Sequence, residues 1–541
     1  MWLVLVVSLF MLWDSWQVYT GGTSLFRRGG DETKQAGDSK KKTAGAAMPG
    51  KSAAVPMTDQ AKSKEAAKNE LITVTTDVVS AQFATLGGVL QHLELLQHAD
   101  TVDSSKNLVL FDVSPIRTYL AQTGLTGGAF PNHTTPFTVK PGPRALNGAS
   151  ELQLVMQAEQ GGVVLTKTYT FRRGDYNIGV KHEITNGTSA PIDPSLYLQL
   201  ARDGSRPEGE SRFISTFTGP AVYTEAEKFQ KLDYDKIKDK GKEDHVAKAN
   251  NGWIALVQHY FLTAFIPPDL AEREIFTKKI DTDLYAIGNI LPLGTVAPGA
   301  TVSMDASLYA GPQESAVLEK IAPGLELVKD YGILTIIAKP IFWLMTKIHN
   351  EVGNWGWTII LLTVFIKLAF YPLASHSYRS MANMKEVTPK MKELQERYKD
   401  DKTRRNQEIM ALYKAEKINP LGGCMPVVVQ IPVFISLYWV LLASVEIRNA
   451  PWLGWIQDLA LPDPYYILPL IMAVSMFVQQ RMSPPPPDPV QAKMMMAMPL
   501  IFSITFFFFP AGLVLYWVTN NLLSIAQQWW VTRQFQKQKK A

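Results

Sequence analysis

Cysteine is nearly missing from this chain of 541 residues, with Cys424 the only one. An intrachain disulfide is therefore excluded, and any exported part must be held by its own apolar core. A large charge excess is missing as well. The net charge of +5 is too small to point to nucleic acid, whose binders rely on clustered cations. The eight histidines are scattered, and the sequence carries no metal-ligand cluster, nucleophile–base set, phosphate loop or dinucleotide-binding glycine pattern. Neither a metal nor a cofactor is called for. Acidic residues drop out of the long apolar runs of the last third. The bulk composition, 46% hydrophobic and 19% charged, looks soluble but averages two unlike parts. The first two-thirds is polar with isolated apolar clusters, and the last third is rich in Met, Phe and Trp. That asymmetry predicts a soluble portion joined to a membrane portion.

Met1 to Trp13 is an almost unbroken apolar run. As a helix it rises about 20 Å, short of a bilayer core of about 30 Å. Residues 1–20 read as an uncleaved membrane anchor, with a cleaved signal peptide as the alternative. Residues 21–69, rich in Lys, Ala, Gly, Ser and Asp, cannot bury enough apolar surface to order themselves and read as a linker. From Leu71 the apolar period becomes two. Val163 to Phe171 and Tyr176 to Ile184 alternate, with turns at Gly87-Gly88, Arg173-Gly174-Asp175 and Asn186-Gly187. Residues 70–324 are predicted to form a large antiparallel β-sandwich. Asn132-His-Thr and Asn186-Gly-Thr match glycosylation acceptors by chance. Residues 325–350, with Lys329, Lys339 and Lys347 on one side and Pro340 as a break, read as a two-piece interfacial amphipathic helix. A helix that packs two domains together is the alternative.

Five apolar stretches predict a helical membrane core over residues 351–531, with spans at 355–375, 424–444, 465–481, 494–509 and 512–530. Lysine and arginine concentrate in cytoplasmic loops. Arg379 to Lys417 holds eleven of them, whereas Glu446 to Pro464 has Arg448 alone. The first segment is therefore placed inside and the second outside. The uncharged turn at Pro510 goes outside, and the basic tail 532–541 goes inside. The same alternation puts the β domain in the periplasm after a first helix with its N-terminus inside, so both termini are cytoplasmic. Within residues 379–418, Met384, Val387, Met391, Leu394 and Tyr398 recur at helical spacing and Asp400-Asp401 marks a turn, which predicts a cytoplasmic helical hairpin. Met384, Met391, Asp400 and Asp401 are the candidate docking residues on it, against the alternative of a merely solvated hairpin. The third and fourth stretches are short for a span, so either they are re-entrant or the bilayer thins around them. Leu421-Gly422-Gly423-Cys424 imitates a lipoprotein cleavage box, but such a box belongs at the N-terminus, and it reads as a loop entering a helix.

Lys367 lies inside the first apolar stretch, about 18 Å past Trp355 by helical rise. A charge at bilayer centre costs about 2.5–3.5 kcal/mol. Lys367 is therefore a functional candidate, against the alternative of snorkelling to the headgroups. No acid in the five stretches can pair with it. Neutral polar residues can line a wet cavity with it: Thr363, Gln430, Ser436, Ser503, Thr505, Thr519, Asn520 and Asn521. Each alone reads first as glue between helices.

Gly353-Asn-Trp-Gly-Trp357, Tyr371-Pro-Leu373, Met410-Ala-Leu-Tyr-Lys-Ala-Glu-Lys417, Asn419-Pro-Leu-Gly-Gly-Cys424, Asp463-Pro-Tyr-Tyr-Ile-Leu-Pro469 and Pro510-Ala-Gly-Leu-Val-Leu-Tyr516 strongly resemble the YidC/Oxa family of membrane protein insertases. Leu125-Thr-Gly127 and Arg173-Gly-Asp-Tyr176 extend the likeness into the β domain. The resemblance implies an α+β protein of the Gram-negative inner membrane, not an enzyme. Its periplasmic β-supersandwich would be similar to sugar-mutarotase folds, and its five-helix core would hold a hydrophilic groove. It implies insertion of nascent membrane proteins into the lipid bilayer, alone or beside the Sec translocon. The ribosome, with its RNA, or a targeting factor would dock at the hairpin and tail. The family's groove cation, usually arginine, falls on Lys367, and its substrate-contacting aromatic, commonly tyrosine, falls on Trp517. Two other readings stay open: a secondary transporter using Lys367, for which no internal repeat is seen, and an anchored periplasmic carbohydrate enzyme built on His133, His182 and Glu183.

Overall fold

The computed structural model describes residues 69–207, 216–238, 245–416, 425–483 and 489–540. The anchor 1–20, the linker up to residue 68 and the Leu421–Cys424 loop lie outside them. The chain forms two compact units, with the boundary after Lys329.

The first unit is a sandwich of two nine-stranded antiparallel sheets among the described residues. In one sheet Ser195–Asp203 pairs with both Thr118–Thr126 and Leu284–Pro292. In the other, Asn177–Asn186 lies between Val163–Arg172 and Thr301–Pro312. Burial alternates along Val163–Arg172 and its partner, as a strand with one face on a core requires. Rings from the two sheets interlock: Phe83 meets Tyr169 at 4.5 Å and Phe171 at 6.2 Å between centroids. Burying each such ring fully stabilises by about 1.5–3 kcal/mol. The turn at Gly87 has φ 79°, and a Cβ there would run into the backbone of His133, so only glycine fits. Short helices α1 (Tyr234–Lys238) and α2 (Ser315–Ile321) complete the unit.

The second unit is helical. Helix α3 spans Thr335–Val352 and runs through Pro340. The residues expected to begin this helix form 3-10 turns instead, Leu325–Val328 within the first unit and Gly332–Leu334 within the second. Proline so near a helix start removes one hydrogen bond, and the helix tolerates that. Lys329, expected on a polar face, is buried. Gly353, at φ 69°, closes α3 with its N–H on the His349 carbonyl.

Helix α4 (Trp355–Ala369) starts on Asn354, whose side chain accepts from the Trp357 N–H at 3.1 Å. It does not reach residue 375 as expected. The chain breaks at Phe370 and continues as α5 (Tyr371–Arg397), bent by 68°. Pro372 explains the break: it has no N–H, and its ring clashes with the carbonyl of residue 368 in a straight helix. The hairpin thus begins at Tyr371 and returns as α6 (Lys402–Ala415), capped by Asp401. Helices α7 (Met425–Ala443), α8 (Ile467–Met482), α9 (Pro489–Phe506) and α10 (Ala511–Lys540) follow. Helix α9 stops three residues before the expected 509. Helix α10 runs on through the tail that was expected to begin at 532.

Among the described residues no single helix is long and apolar enough to cross a membrane; the bent pair α4–α5 has the length and composition of a broken span or a re-entrant loop. Ile359, Leu362, Leu437, Val440, Met472, Leu513 and Val514 form the buried core of this unit. Large apolar side chains are also exposed on its outside, among them Leu361, Phe365, Leu368, Val474, Phe477, Ile501 and Ile504. Water would penalise that surface, and hydrocarbon would not.

Candidate functional site

Lys367 sits in the last turn of α4 and is only 9% exposed. Its Nζ donates to Ser524 Oγ at 2.7 Å. Ser524 in turn donates to the Asn520 backbone carbonyl at 2.7 Å, and Asn520 Oδ1 accepts from Gln430 Nε2. Lys367 on α4, Gln430 on α7 and two residues of α10 thus form one polar ladder inside an apolar bundle. Asn520, Asn521, Ser524 and Gln528 share one face of α10 because they are spaced three and four apart. Asn521 ties that face to Ser475 of α8 at 3.1 Å.

Among the described residues Lys367 bonds only this one hydroxyl and meets no carboxylate. An ammonium has three donors. One hydrogen bond from a charged group contributes about 1.5–3 kcal/mol, against an insertion cost of about 2.5–3.5 kcal/mol for a central charge. Two of its three donors have no acceptor among the described residues.

Of the expected groove residues, the fold brings together Lys367, Gln430 and Asn520. Trp517, one turn before Asn520, packs against Phe434 at 4.7 Å and Phe506 at 5.8 Å. Thr363, Ser436, Ser503 and Thr505 bond back to carbonyls of their own helices, at 2.7, 2.8, 2.6 and 3.5 Å. Such back-bonding uses the hydroxyl's one donor and leaves its lone pairs free to accept, as Ser524 does from Lys367. None of the four hydroxyls bonds to the ladder. Ser524 was missed, although its place four residues after Asn520 was the available signal.

In the hairpin, Met391 is buried with Ile409 and Tyr413, and Tyr413 donates to its sulfur at 3.3 Å. Asp401 accepts the Arg404 N–H at 2.9 Å. Both hold the hairpin together, which leaves Met384, half-buried, and Asp400, exposed, as surface candidates.

In the β unit, His182 Nε2 meets Thr123 Oγ1 at 2.9 Å and His133 Nδ1 meets the Tyr197 hydroxyl at 2.6 Å. Strand alternation turns Glu183 to the opposite face, where it pairs with Lys181 at 3.0 Å. The three do not converge. Lys167, fully buried beside them, donates to the carbonyls of Gly87 and Thr123 at 2.7 and 2.8 Å. Among the described residues no group of His, Cys, Asp and Glu could hold a metal ion.

Two family models match the chain. The YidC periplasmic domain covers residues 71–344, and the 60Kd inner membrane protein covers residues 347–539. The membrane protein insertase YidC of Janthinobacterium sp. (strain Marseille) is 58% identical over 98% of both chains. A solved active YidC insertase, with its first transmembrane domain resolved, covers 84% of this chain and 91% of its own at 17% identity and TM-score 0.41. A galactose mutarotase-related enzyme from Lactobacillus acidophilus covers 44% of this chain and 97% of its own at 10% identity and TM-score 0.31. At such scores neither structural likeness carries a conclusion about chemistry.

Proposed function

The chain belongs to the YidC family of membrane protein insertases, and from that premise we propose that it passes polar flanks of nascent membrane proteins along the ladder of Lys367, Ser524, Asn520 and Gln430. The family consists of inner-membrane insertases, not enzymes, and the transporter alternative has no support among these relatives.

The observation that carries the mechanism is a buried cation held by a single hydroxyl. A hydrophobic segment of the substrate slides along α4 and α10 near Trp517. Its polar flank reaches Lys367, and an acidic group on that flank replaces Ser524 as acceptor. The new bond joins opposite charges and is stronger than the ammonium–hydroxyl bond it replaces. Asn520 and Gln430 offer further partners, so the flank is not stripped bare in hydrocarbon. The membrane potential favours outward movement of an acidic flank by about 2.3 kcal/mol per charge per 100 mV.

The reading places the β unit in the periplasm and both termini in the cytoplasm, on the distribution of Lys and Arg. It keeps Met384 and Asp400 as contact points for a ribosome or targeting factor, and the Sec translocon as a partner. The test is insertion of acidic-tailed single-span substrates by the purified protein in liposomes. Lys367→Arg retains activity, and Lys367→Glu loses it by tenfold or more, about the 1.4 kcal/mol of one lost charged contact. Full activity of the Glu variant would refute the charge role.

A further inference from the structure

We propose that a cavity of about 210 Å³ between α5, the end of α8 and the last turns of α10 holds the phosphodiester headgroup of an anionic membrane lipid. Its wall carries Met381 and Lys385 from α5, Met482 from α8, and Gln528, Trp529 and Arg533 from α10. Two cations share one hollow with two methionines and with the polar side chains of Gln528, Thr532 and Gln536. Neither Lys385 nor Arg533 forms an ion pair among the described residues. Gln528, only 4% exposed, lines the same hollow and donates to the Met482 carbonyl at a long 3.4 Å.

The position along α10 says which ligand fits. Toward the ladder, the exposed residues are apolar: Leu522 on α10 and Phe477 on α8. Trp529 and Trp530 come next, both about half exposed, as aromatic side chains at a headgroup level are. Arg533 and Lys537 follow. The cavity lies where the apolar surface gives way to the basic one, and basic pockets between helices at that level take anionic headgroups. The phosphodiester would meet Lys385 and Arg533, and the acyl chains would leave along Met381 and the exposed apolar face. An acidic peptide would satisfy the cations but leave the methionine wall without a partner. A nucleic acid would need an open ring for its bases, and the Trp529 ring is covered by the Arg533 guanidinium at 5.1 Å. The choice of the inner leaflet rests on the inward placement of the tail proposed above. The site itself does not.

The test is native mass spectrometry of the purified full-length protein in detergent, titrated with phosphatidylglycerol, phosphatidylcholine or inorganic phosphate. Phosphatidylglycerol adducts form first, K385Q/R533Q weakens them about thirtyfold, and K385R/R533K retains them. Equal binding of phosphatidylcholine overturns the site. So does full competition by inorganic phosphate or an acidic peptide, or an unchanged affinity in K385Q/R533Q with an unchanged melting temperature. Should that variant not fold, the selectivity of the unaltered protein still decides. Binding is read without any substrate, so a protein that selects the lipid but whose insertion ignores Lys367→Glu keeps this site and loses the groove mechanism.

Discussion

Lys167 and Lys367 are two buried lysines with different consequences. Lys167 sits on the inward face of its strand opposite His182, with Phe137 beneath it at 4.6 Å. Burial holds its ammonium down at about 7. Burial, and secondarily the neighbouring Lys167, hold His182 and His133 at about 3 and about 4. In each case the unfolded chain binds the proton more readily than the folded one. Stability of the β unit therefore rises with pH between the folded and unfolded values, from about 7 toward 10.5 for Lys167, and is lost as pH falls through that window. The expected gain is on the order of a few kcal/mol. Lys167→Met should flatten the alkaline limb of urea midpoints read from the strand signal in circular dichroism, and should move the histidine limb to higher pH. An unchanged alkaline slope would mean that Lys167 is charged and paired at neutral pH. Sequence alternation put Lys167 on a core face, but could not show that two backbone carbonyls from the opposite sheet would accept its protons.

Helix boundaries were legible where a residue blocks continuation. Asn354, Gly353 and Asp401 mark ends that the sequence announces, because each satisfies orphaned backbone groups. Pro372 announced the bend at Phe370 just as plainly, yet apolar length outweighed it and the first span was read through to 375. The lesson runs the other way at Pro340, where a proline near a helix start was read as a break and α3 absorbs it. Pro372→Ala restores a donor and removes the clash. In a Cys424→Ser background, spin labels at exposed Leu361 and Lys385 should then move apart by several ångströms in pulsed dipolar measurements. An unchanged distance would show that packing of α5 against α10, not the proline, sets the 68° bend.

For the whole molecule, the topology proposed above rests on the distribution of Lys and Arg. With Cys424 removed, a single cysteine at Asp400 should label from the cytoplasmic side of sealed vesicles only, and one at Gln457 from the periplasmic side only. Labelling of both from one side would end the proposed topology and, with it, the inner-leaflet assignment of the lipid cavity. Composition, charge asymmetry and local motifs determined on their own that a β-sandwich precedes an apolar helical unit, that the family is that of membrane insertases, and that Lys367 is the unusual charge. These are properties of short windows, and period and hydrophobicity are written there. Only the tertiary structure decided which polar side chain faces that charge. Four predicted hydroxyls turned back to their own helices, and Ser524, 157 residues away, became its acceptor. A side chain's partner depends on how helices rotate against one another, and that rotation is set by packing of the whole bundle.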